Sequence, residues 1–338
     1  MNDNATLYRI VHPWKANYTL CLRKKEYVDE TIRKAGSWSE CNPFFDFADK
    51  AKGLYVDVGT NIGACSLPMY ANGYRVLSFE PTASTFAALE AAVKATQENR
   101  QSIEMRGEIR LIKKGLSDER GQSIIYSRPG NSGDSISRPV HQKANDPVAD
   151  SFWKSGTGYL AKPTRKNKTD VFIQSTIELT TLDDEVTEPV DFMKIDAQGH
   201  EVKVLQGAEK LLRKIGVNKI LFEWSPWSWA RFGHNETEIL TFLHERGYLI
   251  YPGHAMDQLL GPPIDPANFW TYADFRPKGN RRTDFLAIKK GVELPVVRAA
   301  RAKRELAKLQ QLDLKGKAPK GKAPKKQKEK RTSKSILD

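Results

Sequence analysis

Apolar runs of four to eight residues alternate with helix-periodic stretches along most of the chain. LYVDV (54–58), YRVLSF (74–79) and EIRLI (108–112) read as strands, with one helix starting near Gly63 and another over STFAALEAAVKAT (84–96). The rhythm returns in VDFMKI (190–195), a helix over 201–214, VNKILFEW (217–224), a helix near 236–246, YLIY (248–251) and TDFLAIKK (283–290). Seven strands alternating with helices predict an α/β fold whose sheet is mostly parallel, with crossover helices on both faces.

Three segments break this rhythm. Residues 1–53 carry a charged helical stretch, LRKKEYVDETIRKAG, and then aromatic positions, and read as a helical cap before the main domain (54–295). Residues 127–170 are rich in Gly and Pro and read as a long insertion or lid loop, since loops of this length are functional or disordered. Residues 296–314 are helix-prone, and 315–338 repeat GKAPK with almost no apolar residue, so this tail is expected to be disordered.

Charge sharpens the division. The chain of 338 residues has a formal charge of +13, of which residues 298–338, with 15 Lys/Arg against 4 Asp/Glu, carry +11. The body is nearly neutral, and a polyanion such as RNA or an acidic surface is expected to meet the tail at 315–334. No apolar run reaches the length of a membrane span, and the first residues lack a basic start followed by an apolar stretch, so a cytoplasmic protein is expected, or a nuclear one through the basic tail. Cys21, Cys41 and Cys65 form no C-x-x-C pair, which points to neither a zinc site nor a disulfide framework and fits a reducing compartment. Nor does any His, Cys and carboxylate cluster mark a metal site, although carboxylate-bound Mg²⁺ would leave little trace in a sequence.

The chemistry begins at VDVGTNIGACS (56–66), a strand opening into a glycine turn. A dinucleotide fingerprint starting at Gly59 needs a second glycine at 61, and Asn61 stands there, which removes the place where a pyrophosphate would rest on the backbone. Glu80 closes the next strand, 21 residues after Gly59, where a carboxylate can accept from both hydroxyls of a ribose. Together they describe a nucleoside site without phosphates.

A second constellation lies in VDFMKIDAQGHEVKVLQ (190–206). Asp196 ends a central strand, where open α/β sheets bind ligands. His200 is a base by type or a packing histidine, and Glu201 an acid of the site or a favourable anion in the first turn of a helix.

VDVGTNIG, FEP, GLSDERGQSIIYS (115–127), GNSGDS (130–135), LTTLDDEV (179–186), KIDAQGHEVKVLQGAEKLL and ILFEWSPW succeed one another as in the FkbM-type methyltransferases, which this chain resembles over roughly residues 54–225. The resemblance implies a class I, Rossmann-like methyltransferase fold and S-adenosylmethionine as cofactor. It implies that Asp57, Gly59, Asn61 and Gly63 line its methionine and ribose side, that Glu80 binds the ribose, and that Ser117 and Asp118 lie near the adenine. Asp196, with His200 and Glu201, would serve catalysis, most simply O-methylation of a hydroxyl on a small molecule or glycan. Asn131, Ser132, Glu223 and Trp224 are candidates for the acceptor side. The family often carries Glu where this chain has Gln198, which keeps an acceptor but cannot act as a base. Two other readings stay open: an RNA or protein methyltransferase anchored by the tail, and a non-catalytic binding protein on the same fold.

Overall fold

The computed structural model describes residues 5–11, 17–38, 41, 53–99, 107–128, 130–139, 173–235, 237–253, 259–271 and 283–316. All seven strands read from the apolar pattern join one sheet: β3 (Leu54–Val58), β4 (Arg75–Phe79), β5 (Glu108–Ile112), β10 (Val190–Ile195), β11 (Val217–Trp224), β12 (Tyr248–Tyr251) and β13 (Thr283–Lys289). Their order is β12-β13-β11-β10-β3-β4-β5, and β13 alone among them runs antiparallel to its neighbours. This is the mostly parallel, seven-stranded sheet of the class I methyltransferase fold. The order reverses between β3 and β10, and ligands of open α/β sheets sit at the carboxyl ends of strands flanking such a point.

Strand residues alternate between two cores. Tyr55, Phe192, Leu221 and Leu286 pack on one face with α2 (Ser66–Ala71) and α3 (Ala83–Glu98). Val56, Met193, Phe222 and Phe285 pack on the other with α4 (Glu201–Gln206) and α5 (Glu238–Glu245). Strands apolar on both faces are what a sheet covered on both sides requires.

Three expectations are corrected. The N-terminal stretch is not wholly helical: β1 (Ala5–Val11) and β2 (Asn17–Arg23) form an antiparallel ribbon before α1 (Tyr27–Ala35), and Thr19 N–H donates to Thr96 Oγ1 of α3 at 2.9 Å. The expected loop from 127 begins inside a second sheet, built from β6 (Gly115–Leu116), β7 (Gly121–Arg128), β8 (Asn131–Pro139) and β9 (Ile173–Thr180) in the order β6-β9-β7-β8. NSGDSISRP has little strand propensity of its own; it is a strand because β7 pairs with it. Residues 140–170 of that expected loop lie outside the described residues.

The third correction is covalent. Cys41 and Cys65 form a disulfide across 24 residues, with Cα atoms 5.2 Å apart, and Cys21 is free and buried. Disulfides persist in oxidising surroundings, so the cysteines no longer support a reducing compartment. Spacing gave no sign of the pair because the fold, not a local motif, brings Cys41 to the start of α2.

By contacts the chain divides into two units, Met1–Val297 and Arg298–Asp338. The helix α6 (Pro295–Gly316) starts before this division and runs to Gly316, and the expected disordered tail lies outside the described residues from 317 onward. Among the described residues no helix is long and apolar enough to cross a membrane.

Candidate functional site

A cleft opens where β3, β4 and β10 end. Its floor is the loop after β3. Gly59 takes φ +74°, and a Cβ there would lie 1.9 Å from the carbonyl oxygen of Asp196, so only glycine lets the two strand-end loops touch. The N–H groups of Gly59 and Thr60 donate to the carbonyl of Phe79 at 3.1 and 3.0 Å, which folds the loop back over β4. Asn61 adopts φ +53°, in the left-handed region where Asn is among the tolerated residues.

Beneath this loop runs a row of polar side chains across three strands. Asp57 on β3 is in register with Ser78 on β4 and Lys194 on β10. Its Oδ2 accepts from Thr60 Oγ1 at 2.9 Å and Ser66 Oγ at 2.6 Å, and Lys194 Nζ stands 3.8 Å from Oδ1. Asp57 is fully buried and supports the loop from below; it does not line the cleft.

Glu80 does line the cleft. Its Oε2 accepts from Asn61 N–H at 3.1 Å and its Oε1 from Thr82 N–H at 2.8 Å, and the Thr82 hydroxyl also bonds the carboxylate, which keeps part of its acceptor capacity for a ligand. Burial pushes its carboxyl above the usual range, against the opposing pull of those N–H groups and of Arg23. Asn61, also on the cleft wall, has a buried side-chain oxygen without a hydrogen-bond partner. A buried acceptor left open costs about 1–3 kcal/mol, so a ligand donor at this point would stabilise the site. The acceptor capacity left on Glu80 and the open amide carbonyl of Asn61 fit a nucleoside with a free diol and an ammonium group, as in S-adenosylmethionine, while Lys114 places a cation elsewhere on the cleft wall.

The loop after β10 forms the second wall. Lys194 Nζ is 3.2 Å from Asp196 Oδ2, and Gln198 Nε2 donates to Asp196 Oδ1 at 2.7 Å. Gln198 holds φ +51° to do so. Glu201 is fully buried below this loop: it accepts from Ala197 N–H at 2.9 Å, from Gly199 N–H at 3.0 Å and from the Trp229 indole at 2.7 Å. Burial raises its pKa, with the nearby charge of Asp196 adding to the effect. Its geometry therefore makes it the brace of the 196–200 turn, while Asp196 and His200 face the cleft. His200 packs edge-on against Phe232 at 4.3 Å, with Ser137 Oγ 3.3 Å from Nε2, and burial, with Lys203 adding, lowers its pKa to about 4. At neutral pH it presents an uncharged imidazole.

The third wall comes from the second sheet, through Ile125, Ile177 and Leu179 and the hydroxyls of Ser132, Ser135 and Ser137. The alternation in IQSTIELT could have revealed Ile177 and Leu179, but the polar β8 gave no such signal. Of the other sequence candidates, Gly63 packs against Leu89 below the loop, and a Cβ there would meet Leu89 Cδ1 at 2.6 Å. Ser117 bonds Asp118, which pairs with Lys203 at 3.1 Å, while the preceding Gly115 and Leu116 line the cleft. Asn131, Glu223 and Trp224 do not line it; Trp224 stacks on Phe285 with ring centroids 5.3 Å apart.

The methyltransferase FkbM domain profile matches residues 57–250, which is more than half of the chain and spans this whole site. The chain belongs to the FkbM methyltransferase family. Among solved structures, this FkbM methyltransferase is similar to an FkbM methyltransferase from Methylobacillus flagellatus KT, at 15% identity and a TM-score of 0.38 over 70% of this chain and 43% of that one. It is also similar to precorrin-6y C5,15-methyltransferase from Geobacter metallireducens GS-15, at 9% identity and 0.36 over 80% and 95%. A third match is magnesium protoporphyrin IX methyltransferase from Synechocystis PCC 6803 with bound SAM, at 11% and 0.37 over 78% and 84%. Scores at this level add nothing to what strand order and the family match show. No curated protein matches the chain at a significant level.

Proposed function

We propose that this FkbM methyltransferase binds S-adenosylmethionine in the cleft and methylates a hydroxyl oxygen of a small molecule or glycan. The observation that carries this reading is the convergence of Glu80, the open side-chain oxygen of Asn61 and Asp196 on one cleft at the carboxyl ends of β3, β4 and β10. When bound, the cofactor supplies a methyl group activated on a sulfonium and leaves as the neutral thioether.

The chain's own residues do the rest. Glu80 offers the acceptor capacity left on its carboxylate to the ribose diol. The apolar wall of Ile125, Ile177 and Leu179 excludes water. Asp196 takes the proton that the acceptor hydroxyl loses as its oxygen gains the methyl, and Lys194 and Gln198 hold the carboxylate in place for that task. Orientation of this kind lowers a barrier by as much as ~7–11 kcal/mol. We read the Lys-rich tail as a contact for polyanions that leaves the chemistry untouched; deletion of residues 315–338 would then abolish salt-sensitive retention on heparin and leave cofactor affinity unchanged.

Calorimetry with S-adenosylhomocysteine tests the cofactor assignment. Glu80→Ala should weaken binding by ~1.5–3 kcal/mol, and unchanged affinity in the folded variant would refute it. Labelled S-adenosylmethionine with fractionated extract identifies the acceptor, after which Asp196→Asn should bind cofactor within a few-fold of wild type and lose ~10²–10⁴ in turnover.

A further inference from the structure

Lys194 is nearly buried, its side chain 10% exposed, in a place where an unpaired cation would be costly. It reaches two strand-end loops and strand β3: Asp196 Oδ2 at 3.2 Å, the carbonyl of Gly59 at 3.5 Å and Asp57 Oδ1 at 3.8 Å. Register explains the arrangement. Lys194 and Asp57 are partners on adjacent parallel strands, and Asp196 lies two residues beyond Lys194, on the same side of the chain. One cation therefore stands between the carboxylates of Asp57 and Asp196, while Glu80 and Lys114 line the same cleft and Glu201 lies below its 196–200 turn.

The charge balance bears on the two states of the cofactor, and its significance rests on the proposed binding of S-adenosylmethionine in the cleft. S-adenosylmethionine carries a positive sulfur, and its demethylated product does not. A site with several carboxylates and no cation would hold the charged form tightly; each positive charge behind the wall reduces that preference. We propose that Lys194 is a positioning and specificity-setting residue: it fixes the Asp196 carboxylate at the cleft wall and sets how strongly the site distinguishes a sulfonium from the neutral thioether it becomes.

The test is the ratio of the dissociation constants of S-adenosylhomocysteine and S-adenosylmethionine, which needs no acceptor. Lys194→Met removes the charge and keeps most of the volume, and should raise this ratio roughly five-fold or more, as expected for a unit charge within about 10 Å at protein-like screening. Lys194→Arg should keep it within two-fold. Lys194→Met/Asp57→Asn, which removes one charge of each sign, should bring it back toward wild type. A merely structural lysine would weaken both ligands by the same factor, and an unchanged ratio in Lys194→Met overturns the proposal. If that variant fails to fold, Asp196→Asn answers the question from the other side: it should lower the ratio, and no change there overturns the coupling. Wild type binding neither ligand would remove the cofactor reading and the role of Lys194 together, an outcome distinct from an unchanged ratio.

Discussion

Glu26 accepts hydrogen bonds from both the N–H and the hydroxyl of Ser132, at 2.8 and 2.9 Å, across 106 residues of chain. Glu26 is the N-cap of α1, yet its side chain makes no bond to its own helix. Tyr27 N–H adds a bond to the carbonyl of Gly130 at 3.0 Å, and the far side of the turn meets Asn61, where a Cβ on Gly133 would lie 2.7 Å from Nδ2. The β7–β8 turn is thus clamped between an N-terminal helix outside the matched family span and the loop that floors the cleft.

Releasing that clamp should loosen one wall and leave the core intact. Glu26→Ala should raise amide exchange at residues 130–135 and weaken S-adenosylhomocysteine binding a few-fold, while Glu26→Gln, which keeps one acceptor oxygen, should recover much of both. The loss corresponds to hydrogen bonds to a charged group, about 1.5–3 kcal/mol locally. Exchange at 130–135 identical to wild type in Glu26→Ala would show that the turn is held by its strands alone.

Gln198 gives the second prediction. Its amide donates to Asp196 Oδ1 at 2.7 Å, so the residue that departs from the commoner Glu of the family is the one that orients the candidate base. Gln198→Glu replaces that donor with a like charge and should raise the pKa of one of the two carboxylates. Turnover on the identified acceptor should fall, with its acidic limb moved to higher pH. A pH profile matching wild type would show that Asp196 does not depend on this bond.

These relationships mark the limit of what the sequence reveals. The seven strands of the main sheet are legible because each is an apolar run, buried on both faces except at the edge strand β5, and Glu80 and Asp196 are legible because they close two such runs. The second sheet is hidden where β8 borrows its conformation from β7. Glu201 is misleading for a related reason: type and position mark it as an acid of the site, and only the indole of Trp229 and the N–H groups of Ala197 and Gly199 show its carboxylate turned inward. Glu26 and Cys41 act through partners distant in sequence, and nothing local announces such pairs.

The Cys41–Cys65 bond ties an N-terminal residue to the position just before Ser66, whose hydroxyl donates to Asp57. Closing a loop of 24 residues restricts the unfolded chain by about 3 kcal/mol in the chain-entropy account. Cys41→Ser should therefore lower the urea midpoint and make it insensitive to reductant, whereas the wild-type midpoint should fall on reduction. Because Ser66 stays in place through Asp57 and Ser78, cofactor affinity should change less than stability. Equal midpoints for oxidised and reduced wild type would show that the bond adds nothing to stability.

His200 makes a prediction in pH. Burial lowers its pKa from 6.5 to about 4, so between these values the unfolded chain binds a proton that the folded protein refuses. Stability then rises with pH across that window and is flat above it, the sign expected when the unfolded state holds more protons. The full span amounts to about 3 kcal/mol. Glu80 and Glu201 act in the opposite direction, because burial raises their pKa values and their ionisation as pH rises costs stability. The wild-type curve alone therefore mixes the two effects, and the difference between wild type and His200→Gln isolates the histidine. Urea denaturation at pH 4.5, 5.5, 6.5 and 7.5 should show that difference growing in favour of wild type up to about pH 6.5 and then staying constant. A difference independent of pH would mean that burial leaves the titration of His200 unchanged between the folded and unfolded chain, and a difference that shrinks as pH rises would mean that the cleft carries a positive charge next to Asp196 rather than a neutral ring.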